Sequence, residues 1–170
     1  MKYFLLLGLS VVTIFAHSQT LKKYAISNSG CALYTYCEPK FGMSLSEDSS
    51  KVYTGECTVA DISYGVICVK LLTPLTDLTM AEDLLISYAD FLKRNFEIVK
   101  AAGYGKGHRL NNNENTRGII DYWEDAELDK WKIKAWTDGR YIGFMYAYSK
   151  KELPEAKVNV YLDSFRLPDK

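Results

Sequence analysis

Residues 130–149 read KWKIKAWTDGRYIGFMYAYS and predict a β-hairpin. Both halves are rich in the aromatic and β-branched residues that favour strands. Asp138-Gly139 is a strong signal for a two-residue turn, because both central positions of that turn need φ > 0. Such a turn predicts three cross-strand pairs: Ile133 with Phe144, Ala135 with Ile142, and Trp131 with Tyr146. We expect this hairpin to form part of an antiparallel meander.

Further strands are expected at residues 32–37, 51–58, 64–72, 96–101 and 117–124. The second and third of these form a hairpin, with a turn near residues 60–63, in which Cys57 pairs with Ile67. In that register Tyr53, Cys57 and Val59 share a face with Ile67, Val69 and Leu71, and Cys68 points to the opposite face. A one-residue slip reverses the faces, so a bond between Cys57 and Cys68 stays open.

The clearest helix spans residues 79–95. Thr79-Met80-Ala81-Glu82 fits a capping box, with a hydroxyl at the N-cap and Glu three residues later. Apolar side chains recur at helical spacing behind it: Ala81, Leu84, Leu85, Tyr88, Phe91 and Leu92. We expect this helix to cover the sheet face that carries Ile133, Ile120 and Tyr122.

A second, shorter helix is expected at residues 151–162 and would cover part of the opposite sheet face. That face is predicted to carry Asp121, Trp123, Lys132, Lys134, Trp136, Tyr141 and Met145. Aromatic residues are enriched at recognition surfaces. A candidate ligand or partner surface therefore consists of Trp123, Lys132, Trp136, Tyr141 and Met145. Alternatively the face packs under the C-terminal helix as a second core layer, with Trp136 and Tyr141 most exposed at its edge.

These elements predict an α+β fold, with an antiparallel sheet of about six to seven strands, one long helix on one face and a short C-terminal helix on the other. The chain closes with Tyr161-Leu162-Asp163-Ser164-Phe165-Arg166-Leu167, and Glu38-Pro39-Lys40-Phe41 follows an early strand. With this order of elements, residues 31–167 resemble the PsbP-like α/β/α sandwich domains. The resemblance implies an accessory or binding module rather than an enzyme, and it brings no shared active site to this chain.

The first 18 residues have the pattern of a cleaved secretory signal peptide. Lys2 precedes an apolar run over residues 3–16, and Ala16-His17-Ser18 fits cleavage after Ser18. The run is shorter than the ~20 residues of a membrane-spanning helix, which disfavours an uncleaved anchor. We expect a periplasmic or extracellular protein with no membrane insertion after cleavage. Residues 19–30 are predicted to be loosely ordered, and residues 31–168 to form a single globular domain.

The four cysteines are Cys31, Cys37, Cys57 and Cys68. An even number in an exported chain favours structural disulfides, for which three connectivities are open. Their spacings match neither a zinc ribbon nor a C-x-x-C redox motif. Buried free thiols and a catalytic thiol are the alternatives.

Three further motifs fit a structural role better than a catalytic or ligand-binding role. The segment GYGKG at residues 103–107 lacks the spacing and the following helix of a phosphate loop. His108 is the only histidine beyond the signal peptide, and no spacing supports a metal site or a Cys–His pair around it. The acidic run at residues 124–129 lacks the ligand alternation of a calcium loop and fits a solvated turn. The sequence predicts no metal site, no cofactor and no catalytic residue.

Composition limits the partners. The chain has 21 basic and 21 acidic side chains, a formal net charge of zero, so its bulk charge does not favour nucleic acid. We expect a secreted or periplasmic non-enzymatic binding or accessory module for an unknown protein or small ligand. Two alternatives stay open: an inhibitor or immunity-type protein against a secreted toxin, and an enzyme that uses Cys/His or carboxylate chemistry.

Overall fold

The computed structural model describes residues 20–168, which have an α+β fold as the sequence predicts. The predicted signal peptide, residues 1–18, and its cleavage site lie outside the described residues. A small antiparallel sheet is formed by β1 (Lys22–Ala25) and β2 (Ala32–Thr35).

The main sheet has eight strands among the described residues, and each is antiparallel to its neighbours. They are β3 (Lys40–Leu45), β4 (Lys51–Val59), β5 (Ile62–Lys70), β6 (Ile98–Ala101), β7 (Gly105–His108), β8 (Arg117–Asp125), β9 (Lys130–Thr137) and β10 (Tyr141–Ser149). The spatial order is β3-β4-β5-β10-β9-β8, and both β6 and β7 pair with the outer edge of β8. The prediction of six to seven strands missed the short edge strands β3 and β7.

Two α-helices cover the described part of this sheet. The first, α1 (Leu78–Asn95), begins slightly earlier than predicted, because Asp77 rather than Thr79 is its N-cap. The Asp77 carboxylate accepts a hydrogen bond from the Thr79 N–H at 2.7 Å. The helix buries Ala81, Leu85, Ala89 and Leu92, whereas Leu84 and Phe91 of the predicted apolar face are exposed. The second helix, α2 (Glu155–Leu162), is shorter than predicted.

The sheet separates two hydrophobic cores. The core under α1 contains Ile67, Val69, Leu85, Ala89, Leu92, Ile119, Ile133, Ala135, Ile142 and Phe144. The other core is closed by α2 and the β1–β2 hairpin and contains Ile26, Leu33, Tyr64, Val66, Met145, Val158, Tyr161 and Phe165. Burying one such large side chain is worth about 1.5–3 kcal/mol, so the hairpin and both helices are held mainly by these contacts.

The central hairpin forms as predicted, but its register is shifted by two residues. Ala135 pairs with Phe144 and Thr137 with Ile142, so residues 138–141 form a four-residue loop instead of a two-residue turn. Asp138 stabilises this longer loop, because its carboxylate accepts hydrogen bonds from the N–H groups of residues 140 and 141 at 2.9 Å each. A shift of two keeps each side chain of the hairpin on its predicted face.

The β4–β5 hairpin has a shorter turn than predicted. Its two turn residues, at positions 60 and 61, have φ of 53° and 62°, and Cys57 pairs with Tyr64 instead of Ile67. This shift of three residues exchanges the faces, since side chains alternate along a strand. Cys68 therefore lies on the same face as Cys57, and the predicted grouping of Cys57 with Ile67 is wrong.

The side chains of β8 also lie on the opposite sheet faces from those predicted. Asp121 pairs with Ile133, so the odd-numbered residues of β8 face α1. Tyr122 lies on the opposite face, and the predicted placement of Ile120 and Tyr122 under the long helix is wrong. The turn after β8 sets this register, because the Asp125 carboxylate accepts the N–H groups of residues 127 and 129 at 2.9 Å each.

The segment expected to be loosely ordered, residues 19–30, contains a strand. β1 pairs with β2 over four residues, and the hairpin is closed by a hydrogen bond from the Ile26 N–H to the Cys31 carbonyl oxygen at 2.9 Å. Ile26 is fully buried and Ser29 nearly so. The strand residues KKYA carry no apolar alternation, which is why the sequence pattern did not predict the strand.

Gly65 on β5 lies where an added methyl group has no room. A Cβ atom there would be 2.0 Å from Cζ of the buried Tyr146. We expect Gly65→Ala to lower the free energy of unfolding by about 1–3 kcal/mol in urea denaturation. Gly42→Ala on the edge strand β3 is the control, since its Cβ would lie 3.5 Å from the nearest atom and fit. Equal effects of the two substitutions would contradict this interpretation.

The Tyr64 hydroxyl is the one buried side-chain polar atom of residues 20–168 without a hydrogen-bond partner. Burial, followed by the nearby Tyr36, raises the pKa of Tyr64 from 10.0 to about 12. The unfolded chain therefore releases this proton first as the pH rises. The resulting stabilisation of the folded state is complete below pH 10 and is lost as the pH rises to about 12.

We expect Tyr64→Phe to flatten the loss of stability above pH 10, measured as the free energy of unfolding against pH. At neutral pH the substitution leaves stability unchanged or higher, because no hydrogen bond is lost. Tyr161→Phe is the control at neutral pH only, because burial raises the pKa of Tyr161 as well. It removes a 2.7 Å hydrogen bond to the Gly65 carbonyl oxygen and lowers stability by about 1 kcal/mol. An alkaline profile identical to that of the unsubstituted protein would overturn the assignment to Tyr64.

Candidate functional site

The five residues of the predicted ligand or partner surface do not form an exposed surface. Trp123, Lys132, Trp136, Tyr141 and Met145 are all buried, with at most 7% of any of them exposed. The last four lie on the α2 side of the sheet, where α2 and the C-terminal segment cover them, so the second-core alternative fits the structure. Trp136 and Tyr141, expected to be the most exposed, are 3% and 7% exposed.

Trp123 lies on the other face of the sheet, because the register of β8 directs its side chain toward α1. There its indole N–H donates to the Asp121 carboxylate at 2.6 Å. The same fully buried carboxylate accepts the Gly103 N–H at 3.0 Å and lies 3.2 Å from the Lys93 Nζ. Burial lowers the pKa of Lys93, but hydrogen bonds to Tyr104 and Asp121 outweigh it and keep the pKa above its ordinary value. Each group is satisfied by the protein itself, so this network fastens α1 to the sheet.

Lys132 is likewise engaged in contacts within the protein. Its ammonium group pairs with Glu155 on α2 and lies 5.0 Å from the Tyr122 ring centroid. Burial lowers the pKa of Lys132, whereas the hydrogen bonds to Glu155 and Tyr122 raise it above its ordinary value. The ion pair joins β9 to α2 and engages the Lys132 ammonium group.

The acidic run at residues 124–129 forms a turn, as predicted. The Asp125 carboxylate accepts two backbone N–H groups and the indole N–H of Trp131 at 2.8 Å. Residues 20–168 contain no group of three or more His, Cys, Asp or Glu side chains that could hold a metal ion. The Asp125 carboxylate thus closes the β8–β9 connection.

The cysteines and His108 do not form a nucleophilic pair on the main sheet. Cys37 and Cys57 form a disulfide, while Cys31 and Cys68 are buried thiols. His108 is on β7, and β8, β9 and β10 lie between it and Cys68 on β5. At ~4.8 Å per strand, this separation is roughly 19 Å. A Cys–His mechanism has no support from this arrangement.

A cleft lies at the end of the sheet where β9 turns into β10. Three segments surround it: residues 110–115, the 138–140 turn and the C-terminal residues 166–168. Its volume is about 320 Å³, and it adjoins a second hollow of about 460 Å³ between the same turn and residues 74–78. Concave sites of this size suit small ligands. We call it the arginine cleft, because Arg140 and Arg166 line it.

One wall of the arginine cleft is the asparagine-rich loop. Leu110 anchors the loop in the core, and the buried Thr116 accepts the Leu110 N–H at 2.9 Å and donates to the Asn113 carbonyl oxygen at 2.7 Å. The intervening residues are exposed, and Asn111, Asn113 and Asn115 line the cleft. Their side chains offer amide donors and acceptors on a loop fixed at both ends.

The opposite wall is the β9–β10 loop, which is held rigidly. Gly139 has φ +80°, and its carbonyl oxygen accepts the Leu75 N–H at 2.7 Å. The Arg140 guanidinium donates from Nε and one terminal nitrogen to Asp138 at 3.0 and 2.7 Å. This hydrogen bond raises the pKa of Arg140, which stays charged. The side chain of Arg140 is nevertheless 46% exposed, so part of its fork remains available.

The third wall carries Arg166. One terminal nitrogen of its guanidinium donates to the carbonyl oxygens of Asp163 and Phe165 at 2.9 and 2.7 Å. The guanidinium lies 5.6 Å from the Tyr34 ring centroid. These contacts engage one terminal nitrogen of the guanidinium, and Arg166 lines the cleft.

Two guanidinium groups and several amides in one hollow favour an anionic ligand. Guanidinium forks match carboxylate and phosphate oxygens, and amides add neutral hydrogen bonds. The sequence did not predict a site at residues 111–115, Arg140 or Arg166. Their proximity depends on the turn and the chain end meeting, which no local pattern shows.

No family model and no curated protein sequence matches the chain. In the part of the chain that the structure describes, neither α1 nor α2 has the length and apolar character needed to cross a membrane. The functional argument therefore rests on the geometry of the arginine cleft.

Proposed function

We propose that this protein is a non-enzymatic binding protein of the periplasm or the extracellular space that holds a small anionic ligand in the arginine cleft. The observation that carries the proposal is the convergence of Arg140, Arg166 and the asparagine-rich loop on one concave site. The one carboxylate lining it, Asp138, is already engaged by Arg140 and by backbone N–H groups. The cleft thus offers binding groups and no free acid–base pair.

The proposed location rests on two observations. The Cys37–Cys57 disulfide is of a kind that persists in oxidising compartments. The first 18 residues have the pattern of a secretory signal peptide. A PsbP-like relationship is part of this proposal and implies a binding role; the α+β class of the described residues supports it.

Ligand capture from extracts tests this function. The purified protein is incubated with the small-molecule fraction of its own envelope extract and culture fluid, and retained compounds are identified by mass spectrometry. The test variant combines Arg140→Gln with Arg166→Gln, and its folding is checked by thermal unfolding. The control is Arg94→Gln, which removes an exposed guanidinium at the far end of α1.

We expect one anionic compound to be retained by the unsubstituted protein and by Arg94→Gln, and to be lost from the folded double variant. Loss of two charged hydrogen-bond donors to an anion costs about 3–6 kcal/mol, enough to abolish capture. Retention of the same compound by the double variant would contradict the assigned site. Enrichment of no anionic compound by any of the three proteins would contradict the proposed function.

A further inference from the structure

Two cysteines outside the disulfide share one place in the fold. Cys31 is 1% exposed and Cys68 is fully buried, and both belong to the core under α2. They come from different elements: Cys31 directly precedes β2, and Cys68 is near the end of β5. Two cysteines from different elements can form a disulfide when their sulfur atoms meet without movement of the backbone.

Cys31 is held in place from three sides. Its N–H donates to the Ser29 hydroxyl at 3.0 Å, and its carbonyl oxygen accepts the Ile26 N–H at 2.9 Å. The next residue, Ala32, makes two backbone hydrogen bonds with Arg166, at 3.0 and 2.7 Å. These contacts fix the backbone that carries the Cys31 thiol over the sheet.

Cys68 faces the same space because of the two-residue turn between β4 and β5. That turn pairs Cys68 with Tyr53 and directs both toward the β1–β2 hairpin. The Cys68 side chain hydrogen-bonds to Cys31, which with burial raises the pKa of the Cys68 thiol. The two sulfur atoms are therefore neighbours in the core under α2.

We propose that Cys31 and Cys68 form a second disulfide bond, made during folding by thiol–disulfide exchange with a small disulfide oxidant such as glutathione disulfide. In the first step the thiolate of one cysteine attacks the oxidant, forms a mixed disulfide and releases one glutathione thiol. In the second step the other cysteine attacks the sulfur of its partner, forms the Cys31–Cys68 bond and releases the second glutathione thiol. The two protein thiols are oxidised and lose two protons, and the oxidant is reduced.

This bond complements the Cys37–Cys57 disulfide. That disulfide joins the segment after β2 to β4, and the second bond joins the start of β2 to β5. Both run from the N-terminal hairpin segment to the β4–β5 hairpin, so the layer over this sheet face would be fastened at two points. Because Ala32 pairs with Arg166, the second bond also braces the wall of the arginine cleft that carries Arg166.

Thiol counting and disulfide mapping test the proposal. The full chain is refolded in a buffer of reduced and oxidised glutathione and denatured with an alkylating reagent present. It is then digested without reduction by chymotrypsin, which cuts after Tyr34, Tyr53 and Tyr64 and so separates the four cysteines. We expect no alkylated cysteine and two linked peptide pairs, Cys37 with Cys57 and Cys31 with Cys68. Alkylation of both Cys31 and Cys68, or a link from either one to Cys37 or Cys57, would overturn the proposal.

Two serine variants test the pairing of Cys31 with Cys68 separately. Cys31→Ser leaves Cys68 as one alkylated thiol, and Cys68→Ser leaves Cys31 as one, with the Cys37–Cys57 link retained in both. If a variant does not refold, the mapping of the unsubstituted protein still decides the result. Recovery of Cys37 or Cys57 as the free thiol in a refolded variant would contradict the predicted pairing.

Discussion

The backbone bridge between Ala32 and Arg166 is the constraint on which the second layer of this protein depends. Its two hydrogen bonds, of 3.0 and 2.7 Å, join the N-terminal hairpin to the C-terminal segment. The Ser164 hydroxyl adds hydrogen bonds to the N–H and the carbonyl oxygen of Tyr34, at 3.1 and 2.7 Å. These hydrogen bonds fix the two short segments to each other, and the buried side chains beneath them, such as Leu33 and Phe165, hold both on the sheet.

The bridge also explains where the candidate site lies. The asparagine-rich loop and the β9–β10 turn project from one end of the sheet, and the bridge brings the C-terminal segment to that end. Arg166 therefore completes a hollow that the sheet alone would leave open. Connections at the end of a rigid sheet are a common place for binding groups, because the strands fix the positions of the loops.

On the other face of the sheet, a polar network attaches α1 to the strands. The Asp121 carboxylate binds Lys93 of α1 and the indole of Trp123, and it is fully buried. A buried charge is tolerated only when its hydrogen bonds are made, and here each is made by the protein. Residues that look like recognition chemistry in the sequence, such as Trp123 and Lys132, thus serve the packing of the two helices.

The sequence was sufficient for the elements whose pattern is local. The long helix, the central hairpin and the α+β class follow from apolar spacing and from Asp138-Gly139. The errors arose where a carboxylate or a turn conformation set the register: Asp138 lengthens one loop, and the φ > 0 turn at residues 60 and 61 shortens another. A register change of three residues moved Cys68 to the face of Cys57, which alternation alone does not reveal.

The arginine cleft was not predicted from the sequence, for a different physical reason. Residues 111–115 stand out as a polar run, but Arg140 and Arg166 are 26 positions apart and meet only through tertiary contacts. β1 carries no apolar alternation, so its hairpin with the predicted strand β2 was not predicted. Contacts between residues this far apart in the sequence are identified only in the folded structure.

Native-state hydrogen exchange at the Ala32 and Arg166 amides tests this account most directly. Each N–H donates to the carbonyl oxygen of the other residue, so both should open only together with the core under α2. The account predicts that both amides exchange as slowly as the core amides of β5 and β10, and with equal opening free energies. Exchange of either amide as fast as the exposed loop at residues 111–115 would show that the bridge does not hold the second layer.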